Sequence, residues 1–317
     1  MSLIRTDDDL MGEYPESLPP EEDVSGETLT PEDMQASEVS QISVKGNTSD
    51  VTNLLLLGLD GRTSYKGSRS DTMMIVSINK QDKTIKLISL LRDTLVTIPG
   101  RDRNGDGLDD YAKLNAAFAY GGFDLLSKTI EQNFRLKIDK YIGVNFVTFP
   151  IAVDALGGIE IYMTAAEAGQ VCQAGQEKER GESGFRAIGN KAQVYSLNGY
   201  QALQYARIRK IDSDFGRTNR QRKVIEQLMI KAKAMNIGTL NSILRQVLPE
   251  VLTNMSADEL MGYAMNVGTY ANYTIDTSYH LPEDGGYRNK SVSGVGATLQ
   301  LLDPPQAVRN LHQFIYG

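Results

Sequence analysis

The sequence has little of the chemistry on which many enzymes rely. Cys172 is the only cysteine among the 317 residues, and the two histidines, His280 and His312, lie apart and late in the chain. A single cysteine excludes a disulfide within the chain and a cysteine metal site. Two separated histidines offer neither a multi-histidine metal site nor a histidine-based catalytic triad. Chemistry must therefore come from Asp, Glu, Arg, Lys, Ser, Thr or Tyr.

Long hydrophobic runs are also missing. An apolar stretch such as Leu54–Leu57 is far shorter than the ~20 residues that a membrane-spanning helix needs. A short run of this kind, bounded by polar and glycine residues, is typical of a buried strand.

Charge is unevenly distributed along the chain. Residues 1–50 carry 13 Asp and Glu against two basic residues, whereas residues 51–317 carry 27 acidic and 31 basic residues. The first segment is also rich in Ser, Thr and Pro and has few apolar side chains to offset the entropy of ordering. We therefore expect an acidic disordered or linker tail over residues 1–50. The remainder, residues 51–317, is mildly basic, as suits a body that binds anions.

Strands and helices alternate through the body. Apolar patterns predict strands at 53–60, 72–79, 84–90, 94–98, 140–145, 159–163 and 274–281. Periodicity near 3.6 predicts helices at 113–120, 123–134, 146–156, 198–206, 218–236, 241–252, 256–271 and 306–315. Residues 164–195 show no clear period. We predict one α/β domain with helices on both faces of a mixed sheet.

Two carboxylates fall where predicted strands meet a turn. Asp60 ends the strand at 53–60, and Asp71, next to Arg69, begins the following strand. If these strands are neighbours, both carboxylates lie at one sheet edge and could hold Mg²⁺, which prefers oxygen ligands and shares them with substrate phosphates. Acidic turn residues are common, so the alternative is that both aspartates only cap turns and pair with Arg62 and Arg69.

Arginines form a second feature. Arg92 follows the strand at 84–90 and is either part of a site or paired with Asp93. A denser set lies in one predicted helix–loop–helix: Arg207, Arg209, Lys210, Arg217, Arg220, Gln221 and Arg222. Guanidinium groups bind phosphate bidentately and stay charged at any relevant pH. The alternatives are a solvated basic helix or a nucleic-acid surface. Residues 51–317 are only slightly basic and lack interleaved aromatics, which disfavours nucleic acid.

Three residues of this set are predicted to act together. Arg217, Arg220 and Gln221 share one helical face if the second helix starts near Arg217. Like charges at this density repel one another unless an anion or buried carboxylates hold them, and Asp212 and Asp214 offset only part of the charge.

Six segments occur in the order LLLLGLDGR, RSDTMMIVSIN, SLLRDTLVTIPG, KLNAAFAYGG, LNGYQALQYARIRK and DFGRTNRQRKVI. Together they closely resemble the LytR-CpsA-Psr family of bacterial cell-wall enzymes over about residues 53–253. The resemblance implies an α/β/α sandwich with a central mixed sheet flanked by helices, so that residues 51–317 would be the catalytic domain. It also implies a single-pass membrane protein whose catalytic domain is extracellular, with an N-terminal anchor that we expect before Met1.

The resemblance further implies a Mg²⁺-dependent phosphotransferase that moves a glycopolymer, such as teichoic acid or capsule, from a polyprenyl-pyrophosphate carrier onto peptidoglycan. Asp60 and Asp71 would hold Mg²⁺ or Mn²⁺, and Asp60 or Asp93 would take the acceptor's proton. The implied catalytic residues are Asp60, Asp71, Arg92, Asp93 and Arg207. The implied substrate-binding residues are Arg69, Arg92, Arg207, Arg209, Arg217, Arg220 and Gln221, and a structural role is the alternative for Arg220. The same residues would also serve a pyrophosphatase or a non-catalytic lipid-pyrophosphate or polymer-binding regulator.

An insert at residues 101–111 partly matches a calcium-binding loop. Its matching residues are Asp102, Asn104, Asp106, Gly107 and Asp110. The position that should supply a bidentate Glu falls instead on Lys113. Because that ligand is missing, we expect an acidic solvated turn.

Overall fold

A computed structural model describes residues 26–60, 67–103, 105–179, 188–248, 251–270 and 272–317. The chain divides into two compact units. Among the described residues, those within 26–143, 252–255 and 274–317 form the sheet unit, and those within 144–251 and 256–273 form the helical unit. The sequence predicts a single domain over residues 51–317. The chain passes between the units several times, with no linker of distinct composition at the crossings, and the assignment of residues 51–317 to one domain stays a prediction.

The strands and helices follow the predicted α/β alternation. The strands are β1 Val51–Leu59, β2 Ser70–Asn79, β3 Thr84–Leu90, β4 Leu95–Thr97, β5 Tyr111–Lys113, β6 Tyr141–Asn145, β7 Ile159–Met163, β8 Gln193–Leu197, β9 Leu252–Thr253, β10 Thr274–Leu281, β11 Tyr287–Val292 and β12 Gly296–Leu301. The α-helices are α1 Ala36–Ser40, α2 Leu114–Phe134, α3 Thr148–Ala155, α4 Ala165–Glu179, α5 Gly199–Ala206, α6 Asp214–Lys233, α7 Ile237–Val247, α8 Ala257–Met265, α9 Val267–Tyr270 and α10 Pro304–Tyr316.

A six-stranded mixed sheet forms the centre of the fold, with strand order β10-β3-β2-β1-β6-β9. β1 pairs antiparallel with β2, β2 antiparallel with β3, and β10 parallel with β3. Helices flank this sheet, so the predicted α/β fold with a central mixed sheet is confirmed. Since side chains alternate across a strand, every second residue of β1 faces the same core.

The core of the sheet unit lies between these strands and helices α2 and α10. Its buried residues include Leu55, Leu57, Leu59, Ile75, Ile88, Phe118, Leu126, Ile130, Leu311 and Ile315. Burying one such side chain fully contributes about 1.5–3 kcal/mol. This packing makes the ends of β1, β2 and β3 rigid platforms for the polar residues that follow them.

Helix α2 contains a break that the sequence predicts. Its backbone leaves helical geometry at Gly121 and Gly122, and Gly122 has φ 58° and ψ −153°. Residues with a Cβ rarely adopt this conformation, whereas glycine does so at little cost. The predicted pair of helices at 113–120 and 123–134 is therefore one element with a kink.

Half of the predicted tail is ordered. Residues 26–50 include a 3₁₀ helix at Pro31–Met34 and helix α1. The Glu27 N–H donates to the Ser291 carbonyl (3.0 Å), and the Glu27 carboxylate lies 3.0 Å from the Lys290 ammonium. This corrects the prediction for residues 26–50, because main-chain pairing with β11 orders a segment that has few apolar side chains. Residues 1–25 lie outside the described residues.

The helical unit has its own core, built around the antiparallel pair of β7 and β8 and helices α3 to α6. Its buried residues include Val153, Ile159, Ile161, Met163, Val171, Leu197, Tyr205 and Val224. Within residues 164–195, whose sequence shows no clear period, the described part contains α4 at Ala165–Glu179 and the start of β8 at Gln193. A start signal for α4 is readable, because Thr164 and Glu167 form reciprocal side-chain bonds with each other's backbone N–H, at 2.9 and 3.2 Å.

None of the helices in the described part of the chain combines the length and apolar character that crossing a bilayer requires.

Candidate active site

The first group of predicted site residues lies at one end of the central sheet. In the antiparallel pair of β1 and β2, Leu59 lies opposite Ser70, so Asp60 and Asp71 occupy the same end. The Asp60 carboxylate accepts a hydrogen bond from the Arg69 backbone N–H (2.8 Å), and the Asp60 N–H donates to the Arg69 carbonyl (3.2 Å). These two hydrogen bonds hold the end of β1 next to the residue that precedes β2, so the two strands are neighbours as predicted.

Arg92 joins the same end of the sheet. Because β3 runs antiparallel to β2, with Leu90 opposite Met73, the residues after β3 lie beside the start of β2. Arg92 Nη1 lies 2.8 Å from Asp71 Oδ1, and Arg92 Nε lies 3.3 Å from Asp93 Oδ2. The sequence suggested only the Asp93 pairing, since the partner across two strands cannot be read from local spacing.

Lys113 is a further cation at this end that the sequence analysis missed. Its ammonium lies 3.9 Å from Asp93 Oδ1. Asp93 therefore has a cation on each side. Arg62, the alternative partner considered for the two aspartates, lies outside the described residues.

The electrostatics of the sheet end favour an added positive charge. Burial raises the pKa of Asp60, and repulsion from Asp71 raises it further, while the backbone hydrogen bond and the charge of Arg69 act in the opposite direction. A carboxylate whose pKa is raised by a neighbouring carboxylate gains from a cation placed beside it.

The donor set at the sheet end suits one kind of cation. Within the described residues, no group of three or more His, Cys, Asp or Glu side chains could hold a metal ion by itself. Mg²⁺ commonly binds one or two carboxylates and completes its shell with water and substrate phosphates. Asp60 and Asp71 therefore fit a cation shared with substrate better than a site made wholly of protein ligands.

The calcium-like insert uses its carboxylates internally. Asp102 accepts hydrogen bonds from the N–H groups of Gly105, Asp106 and Gly107, at 2.8, 3.1 and 2.9 Å. Asp110 lies 2.5 Å from Arg103 Nε. These contacts fit the predicted solvated turn, because the carboxylate oxygens of Asp102 and Asp110 bind backbone N–H groups and an arginine of the same loop. Asn104, another residue of the calcium pattern, lies outside the described residues.

The second group of predicted residues lies in the helical unit, around the loop between α5 and α6. Helix α5 begins at a capping box of Asn198 and Gln201 and ends at Arg207, which adopts C-cap geometry. Arg207 and Arg209 are both exposed. The Arg207 guanidinium lies over the ring of Phe146, 4.0 Å from its centroid. Nothing in the sequence singles out Phe146, because the contact joins residues far apart in the chain.

Helix α6 places the remaining predicted residues. It starts at Asp214, three residues before Arg217, so Arg217 and Gln221 share a helical face as predicted. Arg217 is 3% exposed and its Nη2 lies 2.8 Å from Asp214 Oδ2. Arg220 is 2% exposed and is bound by Asp212, with Nη1–Oδ2 2.6 Å and Nη2–Oδ1 2.8 Å.

The two units thus hold different parts of the predicted set. The sheet unit brings together Asp60, Arg69, Asp71, Arg92 and Asp93, and the helical unit holds Arg207, Arg209, Arg217, Arg220 and Gln221. The contacts of Arg220 favour a structural role over the predicted substrate contact. The predicted catalytic and binding roles of the other residues stay predictions.

Known proteins with similar sequences include teichoic acid transferases. The polyisoprenyl-teichoic acid–peptidoglycan teichoic acid transferase TagU of Halalkalibacterium halodurans is 32% identical over 241 residues, which are 75% of this chain and 72% of the relative. TagU of Enterococcus faecalis is 33% identical over 246 residues, which are 75% of this chain and 72% of the relative.

Solved structures show the same fold. TagT bound to LIIa-WTA has a TM-score of 0.64 at 25% identity, over 87% of this chain and 98% of that protein. TagV of B. subtilis also has a TM-score of 0.64 at 25% identity, over 85% of this chain and 98% of that protein.

The family itself extends over most of the molecule. Its profile, described as the LytR_cpsA_psr family, matches residues 23–308. This range includes both groups of site residues and the ordered half of the predicted tail. The resemblance stated from six sequence segments is confirmed, and this chain belongs to the LytR_cpsA_psr family.

Proposed function

We propose that this protein is a phosphotransferase of the bacterial cell envelope that moves a glycopolymer from a polyprenyl-pyrophosphate carrier onto peptidoglycan. The names of its relatives, which describe transfer of teichoic acid between a polyisoprenyl carrier and peptidoglycan, support this donor and this acceptor. The observation in this chain that carries the proposal is the meeting of Asp60, Asp71 and Arg92 at one sheet end. Carboxylates and a guanidinium at one place suit a cation and a phosphate group.

Mg²⁺ or Mn²⁺ is the proposed cofactor, with Asp60 and Asp71 as its protein ligands. When bound, the cation would neutralise charge on the pyrophosphate oxygens. The raised pKa of Asp60 supports this assignment, since a nearby divalent charge would relieve the repulsion from Asp71.

In the proposed reaction, a hydroxyl of muramic acid attacks the phosphorus on the sugar side of the pyrophosphate. A phosphorus–oxygen bond forms to the acceptor, and the bond from the same phosphorus to the bridging oxygen breaks. Polyprenyl phosphate leaves with that electron pair. The hydroxyl proton passes to a carboxylate, for which Asp60 and Asp93 are the candidates at the sheet end.

The arginines would bind the donor and stabilise the charge that develops during transfer. Arg92 is held in place by Asp71 and Asp93, so its guanidinium needs little reorganisation when a phosphate binds. Arg69, Arg207, Arg209, Arg217 and Gln221 are proposed as further contacts to the pyrophosphate. Catalysis of phosphoryl transfer depends mainly on such positioning and charge stabilisation.

We further propose that the enzyme works at the outer face of the cytoplasmic membrane. A single membrane anchor preceding the acidic segment at residues 1–25 would keep the body next to a lipid carrier. A chain made with such an anchor should fractionate with membranes and be accessible to protease added outside the cell.

Two other functions would use the same residues. A pyrophosphatase would hydrolyse the carrier-linked donor with water, and a regulator would bind it without turnover. To separate these functions, polyprenyl-pyrophosphate-linked saccharide is incubated with the protein, with and without MgCl₂ and peptidoglycan, and released polyprenyl phosphate is measured. Release and polymer attachment that both require peptidoglycan support the transferase. Release without peptidoglycan supports the pyrophosphatase, and tight binding without release supports the regulator.

A further inference from the structure

The buried guanidinium of Arg220 forms hydrogen bonds with both ends of the segment between α5 and α6. Arg220 Nη2 donates to the Ile208 carbonyl at 2.7 Å and to Asp212 Oδ1 at 2.8 Å, and its Nη1 donates to Asp212 Oδ2 at 2.6 Å. Ile208 and Asp212 are the two ends of a short segment that contains exposed Arg209. Arg220 therefore fixes both ends of the segment that presents Arg209.

A second carboxylate completes the surroundings of Arg220. Glu167 Oε1 lies 3.6 Å from Arg220 Nη1, and Glu167 is 8% exposed. Its other oxygen accepts hydrogen bonds from the N–H and hydroxyl of Thr164, at 2.9 and 3.1 Å. The guanidinium is therefore neutralised by protein carboxylates and tied to the start of α4.

Gly216 provides the space for the Asp212 carboxylate. A Cβ on residue 216 would lie 2.1 Å from Asp212 Oδ2 and 2.2 Å from its Cγ, far closer than atoms can approach. Because the Asp212 side chain is short, moving its carboxylate away would break its paired hydrogen bonds with Arg220. Alanine favours helix more than glycine does, so Gly216→Ala should strengthen α6 locally while opening this contact.

We propose that Arg220 is a positioning residue and not a phosphate ligand, and that Arg220, Asp212 and Gly216 form a clamp that holds Arg209 in place to bind the donor pyrophosphate. This inference rests on the proposed function. A phosphate-binding Arg220 and a positioning Arg220 predict opposite effects of its partner Asp212 on substrate binding. If Arg220 binds phosphate, Asp212 competes with the substrate, whereas if Arg220 positions the loop, Asp212 assists substrate binding.

The test uses the whole chain and measures binding of inorganic pyrophosphate by calorimetry, together with kcat and KM for a polyprenyl-pyrophosphate-linked saccharide. Gly216→Ala and Asp212→Asn should each weaken pyrophosphate binding about tenfold, the size expected for coupled neighbouring residues. In the Arg209→Gln background, each change should weaken it by less than about twofold. With the carrier-linked saccharide, Gly216→Ala and Asp212→Asn should raise KM more than they lower kcat.

Gly262→Ala is the matched control, because Gly262 lies in helix α8 with nothing within 4 Å of an added Cβ. It should bind pyrophosphate as the wild type does. Thermal unfolding of every variant separates loss of the fold from loss of positioning. If Gly216→Ala does not fold, Asp212→Asn supplies the same comparison with a nearly isosteric side chain.

Several outcomes would overturn the clamp. Wild-type or tighter pyrophosphate binding by folded Asp212→Asn would show that Arg220 is a ligand that Asp212 restrains. Unchanged binding in Gly216→Ala, or a full tenfold loss in the Arg209→Gln background as well, would show that the contact does not act through Arg209. Failure of the wild type to bind or turn over any pyrophosphate would instead contradict the proposed function.

Discussion

The sheet unit and the helical unit hold their charged residues in different ways. At the sheet end, the strand register and main-chain bonds fix Asp60 and Asp71, and the Arg92–Asp71 pair stays 20% and 24% exposed. Around α6, a side chain that is only 2% exposed fixes the loop through hydrogen bonds to Asp212 and Ile208. In this protein the strand ends place the two aspartates through the backbone, whereas the loop between α5 and α6 is held by a buried arginine whose partner Asp212 is partly exposed.

This difference predicts a separation of activity from stability. A partly exposed ion pair contributes about 0–1 kcal/mol, so changes at the sheet end should affect reaction rates more than folding. Removing one partner of a buried pair costs about 3–5 kcal/mol, so changes in the clamp should affect both.

The largest effect is expected for Arg92→Ala in the sheet unit. Loss of a preorganised charge at the reacting phosphate should lower kcat by about 10²–10³. The free energy of unfolding, measured in urea, should fall by about 1 kcal/mol or less. Arg309→Ala, on the exposed side of α10, is the control and should keep full activity. A large loss of stability in Arg92→Ala would break the proposed contrast between the units.

The next effect is expected for Arg220→Gln in the helical unit. It should lower the free energy of unfolding by about 3 kcal/mol, the lower end of the range for a buried pair, because Asp212 keeps 36% exposure and regains water. Equilibrium unfolding in urea measures the change. A loss below about 1 kcal/mol would mean that the buried pair is no more important to folding than the exposed one.

A pH-dependent effect should follow for Asp212→Asn. The hydrogen bond from Arg220, together with its charge, lowers the pKa of Asp212 despite some desolvation. A lowered carboxyl pKa contributes stability above the ordinary pKa and loses it as the pH falls through the folded-state pKa. The wild type should therefore exceed Asp212→Asn in stability most at about pH 7, and the gap should close as the pH falls below the ordinary carboxyl pKa and through the lower folded-state pKa. A gap that widens on acidification would contradict this sign.

The smallest effect is expected at Phe146. Stacking of a guanidinium on an aromatic ring contributes about 0.5–1 kcal/mol at exposed sites, so Phe146→Leu should raise KM about two- to fivefold. Phe146→Tyr should restore the wild-type value because it keeps the ring. Neither change should matter in the Arg207→Ala background. If Phe146→Leu still raised KM in the Arg207→Ala background, Phe146 would not act by positioning Arg207.

Much of the sheet end could be predicted from the sequence. One apolar run ends at Asp60 and the next begins at Asp71, which predicts two adjacent strands. The pairing of Leu59 with Ser70 places both aspartates at the same end of the sheet, as expected. Strand periodicity and turn residues are local properties, so a sequence contains them directly. The break at Gly122 follows from the same kind of local information.

Other parts of the site arise only from tertiary packing. The Arg207 stack on Phe146 and the Lys113–Asp93 contact join residues that are far apart in the chain. The sequence indicates Asp212 as a counter-charge, but not that it pairs with Arg220. The β11–β12 hairpin was also missed, since its strands are largely polar.

The most direct measurement is the dependence of polyprenyl phosphate release on MgCl₂ concentration, for the wild type and for Asp71→Asn, with a carrier-linked saccharide and peptidoglycan present. The proposed mechanism predicts that wild-type release requires the divalent cation, and that Asp71→Asn needs far more of it and stays slower at saturation. Equal rates in both proteins, or full wild-type release in the presence of a chelator, would contradict the role proposed for the carboxylates at the sheet end.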